Sequence, residues 1–381
     1  MPAKNNYYAS ISLHSIKWIL SFIRQYIQWF KMEQWLLCGS ELHSNKKITV
    51  LYTGVFLNMN YFAGIIFGAD YEESYLGRYH RWNFLKNFNN KNMDYSMVVT
   101  EGLKIFSGYM KMNHYTYIPG WILGKIELPD KISNMFNNSS IKSDINHIKS
   151  NKLEYILTKD TEHFNLFYYN MYLPFIKARH GNSAILRTYY DLYRKYKNGS
   201  LLMVKKADEF VAGMLITFDK KYGHLQNLGV IEGDLTHIKE GVISALYYYS
   251  IQYIYSLGYR KIDVGATRSF LNDGIMCYKK KWGFKVEKDS AAGFFIKINK
   301  LSWGIYGFLQ HNPYITTSKK GNNIVIFNNT DETLEETINR NIENKHLSAG
   351  LDGIIINKIS PQGSIYQNLR IPLKNKILIN D

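Results

Sequence analysis

The sequence is short of the residues that metal and redox chemistry need. Only two cysteines, Cys38 and Cys277, occur in 381 residues, and no C-x-x-C pair exists. The eleven histidines are scattered without an H-E-x-x-H or similar spacing. That usage argues against a disulfide framework and a zinc site, and the reducing cytosol is the natural compartment. Acidic residues are scarce as well: 31 Asp and Glu face 47 Lys and Arg, a formal net charge of +16. Such a field attracts phosphates, whether in nucleic acid, anionic lipid or a phosphorylated cofactor, without choosing among them.

Long apolar runs are nearly absent. No early run has the uninterrupted apolar core of a signal peptide. Only "VLYTGVFLNMNYFAGIIFG", Val50 to Gly68, approaches the length of a bilayer span. Asn58 and Asn60 sit at its middle, where amides are expensive in hydrocarbon. The flanking runs "ITVLYTG" and "YFAGIIFG" read as two strands around a loop.

What is present is an ordinary globular composition, 46% hydrophobic and 20% charged, long enough for two domains. Residues 12–31 form an amphipathic helix. Ile16, Ile19, Leu20, Ile23, Ile27 and Phe30 make its apolar stripe, opposite Lys17, Arg24 and Lys31, with Trp18 and Trp29 at the borders. A basic, Trp-edged helix suits weak contact with a membrane surface, although packing on its own domain is the commoner use. "GWILGK", Gly120 to Lys125, is one residue short of a phosphate-binding loop and is set aside. The Asn- and Ser-rich run from Asn134 to Asn151 reads as a linker.

Beyond it, a helix runs from a cap at Asp160 or Thr161 to Gly181, with Pro174 expected to kink it and Arg179-His180 in its last turn. Strands follow at "SLLMVKK" and, around a turn at Asp219 to Tyr222, in "EFVAGMLITFDKKYGHLQNLGVI". The helix "KEGVISALYYYSIQYIYSLG" then leads directly to a strand "KIDVGAT", which makes a βαβ crossover between parallel neighbours. Further on, "NNIVIFNN" and "LDGIIINKIS" look like strands flanking a helix in "TLEETINRNIEN". The division is therefore residues 1–45, an amphipathic segment; 46–145, a first α/β domain; 146–300, a second; and 301–381, an α/β extension.

The segment from Tyr259 to Phe284, "YRKIDVGATRSFLNDGIMCYKKKWGF", resembles the end of a GNAT acyltransferase domain. Asn272, position 279 and Gly283-Phe284 keep that family's Asn, Tyr and Gly-Phe spacing, but Lys279 stands where the Tyr is usual. "YKKKWG" and "IDVGATRSF" resemble instead the Fem-type peptidyltransferase branch, over roughly residues 150–298. The resemblance implies an α/β (α+β) fold with a GNAT-like mixed sheet, in tandem with a degenerate GNAT-like domain upstream. It implies transfer of an acyl or aminoacyl group from acyl-CoA (acetyl-CoA) or aminoacyl-tRNA to a small-molecule or peptide amine, with no metal.

On that reading Lys279 stabilises developing negative charge or holds a phosphate, with Tyr278 beside it. A solvated helix end is the bland alternative for the lysine run, Lys279 to Lys281. Asp263 ranks first as general base, ahead of Glu232, Asp234 and His180. Arg268 and Asn272 on the loop, with Arg179 and His180, read as substrate contacts. The resemblance places the donor's pyrophosphate at Gly241, which opens the crossover helix, with Val230 and Gly265 nearby. "IKEGVI" keeps one glycine of the usual signature, and its Glu240 would repel phosphate, which leaves room for the tRNA donor. The competing class is a non-catalytic, basic nucleic-acid-binding protein, in which 31 tyrosines and 7 tryptophans supply stacking platforms.

Overall fold

A computed structural model describes residues 31–80, 95–181, 186–318, 321–329, 349–359 and 365–372, with four isolated positions at 333, 336, 339 and 346. Residues 12–30 of the amphipathic stretch and most of "TLEETINRNIEN" lie outside them, and Lys31, the last residue of the expected helix, opens a strand. The chain divides into two compact units. One comprises Met1–Ile118, Ala291–Asn312 and Lys358–Tyr366; the other comprises Pro119–Ser290, Pro313–Asn357 and Gln367–Asp381. The fold is mixed α/β, with six-, seven- and four-stranded sheets among the described residues.

The first unit carries a sheet ordered β3-β1-β2-β4-β13-β5. Its strands are β1 (Lys31–Ser40), β2 (Lys47–Gly54), β3 (Tyr71–His80), β4 (Met97–Leu103), β5 (Thr116–Pro119) and β13 (Ala292–Ile298). Residues 61–68 do not form the expected second strand, nor 55–60 the loop before it. Phe56–Phe67 is a helix, and Met59, Phe62, Ala63 and Ile66 form its buried face. An element apolar on nearly every side shows little periodicity of either kind, so sequence pattern misjudged it. Twelve residues of helix span about 18 Å, well short of a bilayer. Among the described residues no helix is long and apolar enough to cross a membrane.

The second unit carries the sheet β12-β6-β11-β10-β9-β8-β7. In chain order these are β6 (Ile122–Glu127), β7 (Leu153–Thr158), β8 (Ser200–Lys206), β9 (Glu209–Phe218), β10 (Gly223–Val230), β11 (Lys261–Asp263) and β12 (Phe284–Asp289). The crossover helix, Val242–Ser256, joins β10 to β11, and those two strands are parallel as expected. It buries Leu246, Ile251 and Ile254 against the sheet. A four-stranded sheet β14-β15-β16-β17 follows, formed by Tyr314–Ser318, Gly321–Asn329, Gly353–Ile359 and Ile365–Pro372.

Both larger sheets repeat one pattern. An antiparallel pair (β1-β2, β9-β10) leads to a parallel pair (β2-β4, β10-β11) and then to an antiparallel neighbour (β13, β6). The last strand is exchanged along the chain. β6 precedes all other strands of its sheet yet lies between β11 and β12, while β13 follows β12 and joins β4. Pairing between strands so distant in sequence leaves no local signature, so neither placement was legible.

The expected linker is largely helical. Asn138 accepts from the Ser140 N–H and caps the helix Ser139–Ser150, which buries Ile141, Ile145 and Ile148 in the second unit's core. The helix expected from residue 161 starts at its Asp160 cap but is not uniform along its length. Thr161–Leu166 is α-helical, Phe167–Tyr172 is a π-helical turn, and Leu173–His180 resumes the α-helix with Pro174 in its first turn. The wider π turn lies directly before Pro174, which has no N–H to complete the ordinary ladder there. β10 lies directly against this turn at Gly229, where any side chain would overlap the backbone of Met171 and Tyr172.

Gly229→Ala is therefore expected to lower stability by about 1–3 kcal/mol, as overpacking does. Gly64→Ala, in the Phe56–Phe67 helix with nothing within 4 Å of the new methyl, should raise it by about 0.5–1 kcal/mol. Urea unfolding of the two variants checks the opposite signs.

Candidate active site in the second unit

The parallel pair β10-β11 opens almost at once. Only Gly223↔Ile262 and His224↔Asp263 are paired; β10 then runs on to Val230 while β11 stops at Asp263. A bulge in β10 between Leu225 and Leu228 turns the strand further. From Leu225 onward β10 thus has no ladder to β11 among the described residues. Gly223 sets the vertex of this opening, because a side chain there would collide with Ile254 of the crossover helix.

The glycine loop leaves β11 at this vertex. Asp263 folds its own loop by accepting the Gly265 N–H at 2.8 Å, and Gly265 takes φ +73°, a conformation that suits glycine. The helix Gly274–Lys281 returns over the loop, capped by Asp273, which accepts from Ile275 and Met276 N–H at 3.0 and 3.1 Å. Trp282 and Phe284, both buried, anchor its far end.

That helix turns Lys279 inward. Its side chain is 6% exposed, and Nζ donates to the carbonyls of Gly265 (3.2 Å) and Ala266 (2.7 Å). An ammonium carries three donors, so a third remains beyond these two bonds. Burial pushes the ammonium down to about 8, opposed by the negative charges of Asp263 and Asp273. The neighbouring Lys280 is also lowered by burial to about 8, against Cys277. A solvated helix end, the bland reading of the lysine run, holds for neither.

Tyr278 faces the other way. Its hydroxyl lies 3.3 Å from Ser244 Oγ of the crossover helix, and Ser244 donates to Asp144 at 2.9 Å. Lys281 closes this network with an ion pair to Asp144. Burial raises the Tyr278 hydroxyl well above the usual tyrosine range, so it serves as a hydrogen-bonding post between helices rather than as a ready acid.

Asp263 does more than fold the loop. Its Oδ2 lies 3.0 Å from His224 Nδ1, and His224 Nε2 lies 2.9 Å from Asp219 Oδ2, so the imidazole is held between two carboxylates. Asp219, which also accepts the Lys221 and Tyr222 N–H groups of its own turn, is lowered to about 2 by those bonds first and by His224 after them.

The remaining sequence-predicted residues are placed as follows. Arg268 is buried, with its guanidinium 4.1 Å from the Trp121 ring centroid. Asn272 Oδ1 lies 2.9 Å from His346 Nε2. Gly241, at φ +92°, opens the crossover helix with His147 beside it. Val230 is buried, pairs with Ala212 and ends β10. Arg179 stacks on Phe175 at 4.9 Å near the end of the helix Leu173–His180, whose residues Pro174, Phe175 and Ala178 pack against Gly233 just past β10. The side chain of His180 lies outside the described residues. Glu240 is held by Lys206 at 2.6 Å and His237 at 3.1 Å, so its charge is compensated. Glu232 is exposed, and Asp234 is spent on capping Leu235–Lys239 through the Thr236 N–H.

The structure thus joins Asp263, Gly265, Lys279 and Arg268 on one loop and its covering helix. Val230 and Gly241 bracket the turn and short helix beyond the open end of β10. Sequence reasoning missed His224, Asp219, Ser244, Asp144 and Trp121. The single usable signal was the strand pairing of His224 with Asp263, which follows once the crossover is drawn in register.

No family model matches the sequence, and no curated protein matches it. Among solved structures, the chain is similar to FemX at 10% identity over 69% of this chain and 83% of that one, with a TM-score of 0.35. For L-PGS from Bacillus licheniformis the values are 12%, 66%, 78% and 0.31. For a GCN5-related N-acetyltransferase from Sphaerobacter thermophilus they are 9%, 65%, 72% and 0.30. Likenesses at this level carry no weight for the chemistry, which rests on the geometry of this chain.

The sign of the Lys279 shift gives a test. A folded ammonium with a lowered pKa binds fewer protons than its unfolded counterpart above about pH 8, so stability rises with pH from there toward the unfolded value of 10.5. Lys279→Met should flatten this rise over the first pH unit above about 8, leaving only the Lys280 part. Urea titrations in that interval measure it, and equal slopes for the two proteins would contradict the buried placement.

Proposed function

We propose that the second unit is an amine acyltransferase, with the donor lying in the opening between β10 and β11 and the transferred carbonyl near the glycine loop. The observation that carries this reading is the two-residue parallel pairing with a buried, loop-bound lysine at its vertex. The opened edge of β10 offers unladdered backbone groups to an extended donor arm. Lys279 places a positive charge, and one N–H beyond those bound to Gly265 and Ala266, at the end of that arm.

In the reaction the acceptor's neutral amine attacks the acyl carbonyl. A C–N bond forms, the C–S bond of acyl-CoA or the C–O ester bond of aminoacyl-tRNA breaks, and one proton leaves the nitrogen. Charge builds on the carbonyl oxygen and then on the departing thiolate or ribose oxygen. A cation preset in a dry pocket stabilises both with little reorganisation. Asp263, whose carboxylate keeps lone pairs beyond its bonds to the Gly265 N–H and His224, is the candidate to take the amine's proton, with His224 and Asp219 bracing it from behind. Arg268 and Asn272 face the acceptor side on this reading, and Gly241 with the first turn of the crossover helix receives the donor's phosphates.

The first unit serves as a scaffold on the same argument. At its own parallel pair, β2 and β4 stay in register over four residues, from Val50↔Met97 to Thr53↔Thr100. Beyond that point the Glu101 carboxylate fills the gap, accepting from Tyr52 Oη at 2.8 Å and the Val55 N–H at 2.7 Å.

Calorimetric titration with acetyl-CoA and CoA tests the donor. Micromolar binding that Lys279→Ala weakens at least tenfold identifies a CoA-linked enzyme, while absent binding directs the assay to aminoacyl-tRNA. Turnover with either donor should fall by about 10²–10³ in Lys279→Ala, the cost of losing one preset stabilising donor. Unchanged turnover in a folded variant would overturn the assignment.

A further inference from the structure

Several exposed large apolar side chains of the first unit, among them its two most exposed in the described residues, gather at one end of its sheet. Directly after β4, a 3-10 turn at Lys104–Phe106 runs into the helix Ser107–Met112. Met110 is the one buried side chain of that stretch, and it seats the helix on a core of Leu51, Val98, Tyr115 and Phe295. The outer face carries Ile105 (82% exposed), Phe106, Tyr109 and Met112 (73% exposed). The spacing of Ile105, Tyr109 and Met112 puts them on one helical face, as a packing stripe would be, yet Ile105 and Met112 are largely exposed. Val55 and Phe56, also exposed, leave β2 beside it, because the parallel register of β2 with β4 brings both strand ends to the same edge. Single exposed apolar residues are ordinary, whereas a contiguous group on one short helix marks a binding surface.

Charge selects the occupant. Lys104 opens the 3-10 turn, Lys111 lies on the helix, and Lys297 lies over the Tyr115 ring at 5.7 Å. No Asp or Glu occurs from residue 102 to residue 126, and the chain as a whole carries +16. An apolar ridge of isoleucine, phenylalanine, tyrosine and methionine, with lysines beside it and no acidic residue within its own stretch, has the chemistry of an interfacial helix; the neighbouring Glu101 is bound to Tyr52 and the Val55 N–H. We propose that Ile105, Phe106, Tyr109 and Met112 insert into the headgroup boundary of an anionic bilayer, with Lys104 and Lys111 at the phosphate level. This contact is distinct from the amphipathic stretch 12–31 and independent of the acyltransferase reading.

The test uses the full chain and vesicles of phosphatidylcholine alone or mixed with phosphatidylglycerol. Cosedimentation should show binding to the mixed vesicles only. Ile105→Ser combined with Met112→Ser should weaken it more than tenfold without lowering the unfolding midpoint, since both side chains are exposed. Undiminished binding of that variant would place any membrane contact elsewhere, in residues 12–31 for instance, and overturn the proposal. So would a variant that binds vesicles normally but changes oligomeric mass, which would make a second copy the occupant. A polarity-sensitive fluorophore at Ile105→Cys, in a Cys38→Ser, Cys277→Ser background, should shift to the blue on adding mixed vesicles. A probe already shielded without vesicles would mean that the chain's own residues cover the ridge, and would equally overturn it.

Discussion

A lysine ammonium buried in a protein must be met by acceptors, and Lys279 finds two in the carbonyls of Gly265 and Ala266. The rest of the candidate site depends on that pairing. It clamps the glycine loop under the Gly274–Lys281 helix, so the loop does not extend β11, and β10 runs on beyond His224 paired only with β9 among the described residues. Asp263 works from the same vertex: one carboxylate oxygen fixes the loop through the Gly265 N–H, the other braces His224. Charge compensates charge throughout, with Asp263 and Asp273 both favouring the ammonium that burial disfavours.

The two parallel pairs show how one sheet pattern can support or suppress a cleft. In the second unit the pair ends after two rungs. In the first it continues for four, and the Glu101 side chain then bridges Tyr52 and Val55 across the gap. The exchanged strands β6 and β13 give each opening a closed antiparallel flank on its far side. A separate consequence of the same strand ends is the exposed ridge after β4, where the chain leaves the sheet with apolar residues outward.

Much of the second unit was legible before any coordinates, because its signals are local. The crossover helix declares itself by the spacing of Leu246, Ile251 and Ile254, and the glycine loop by its place between a strand and a lysine-rich helix. What failed did so for identifiable reasons. Ile141, Ile145 and Ile148 form a helical stripe, but surrounding Asn and Ser masked it. The Phe56–Phe67 helix is apolar on too many sides to show a period. The π turn at Phe167–Tyr172 answers to the backbone of β10 at Gly229, a constraint that lies outside its own sequence. Lys279 was singled out by spacing, whereas His224 and Asp219 became visible only when strand register put them beside Asp263.

The central claim, that a donor occupies the opening beside β10, is tested most directly by amide hydrogen exchange with and without donor. Acetyl-CoA and a non-hydrolysable aminoacyl-tRNA analogue would each be added to the full chain. The account predicts new protection in Leu228 to Val230, in the loop Gly265 to Arg268 and at the start of the crossover helix, with one of the two donors. Protection confined to the first unit, or none with either donor, would contradict it.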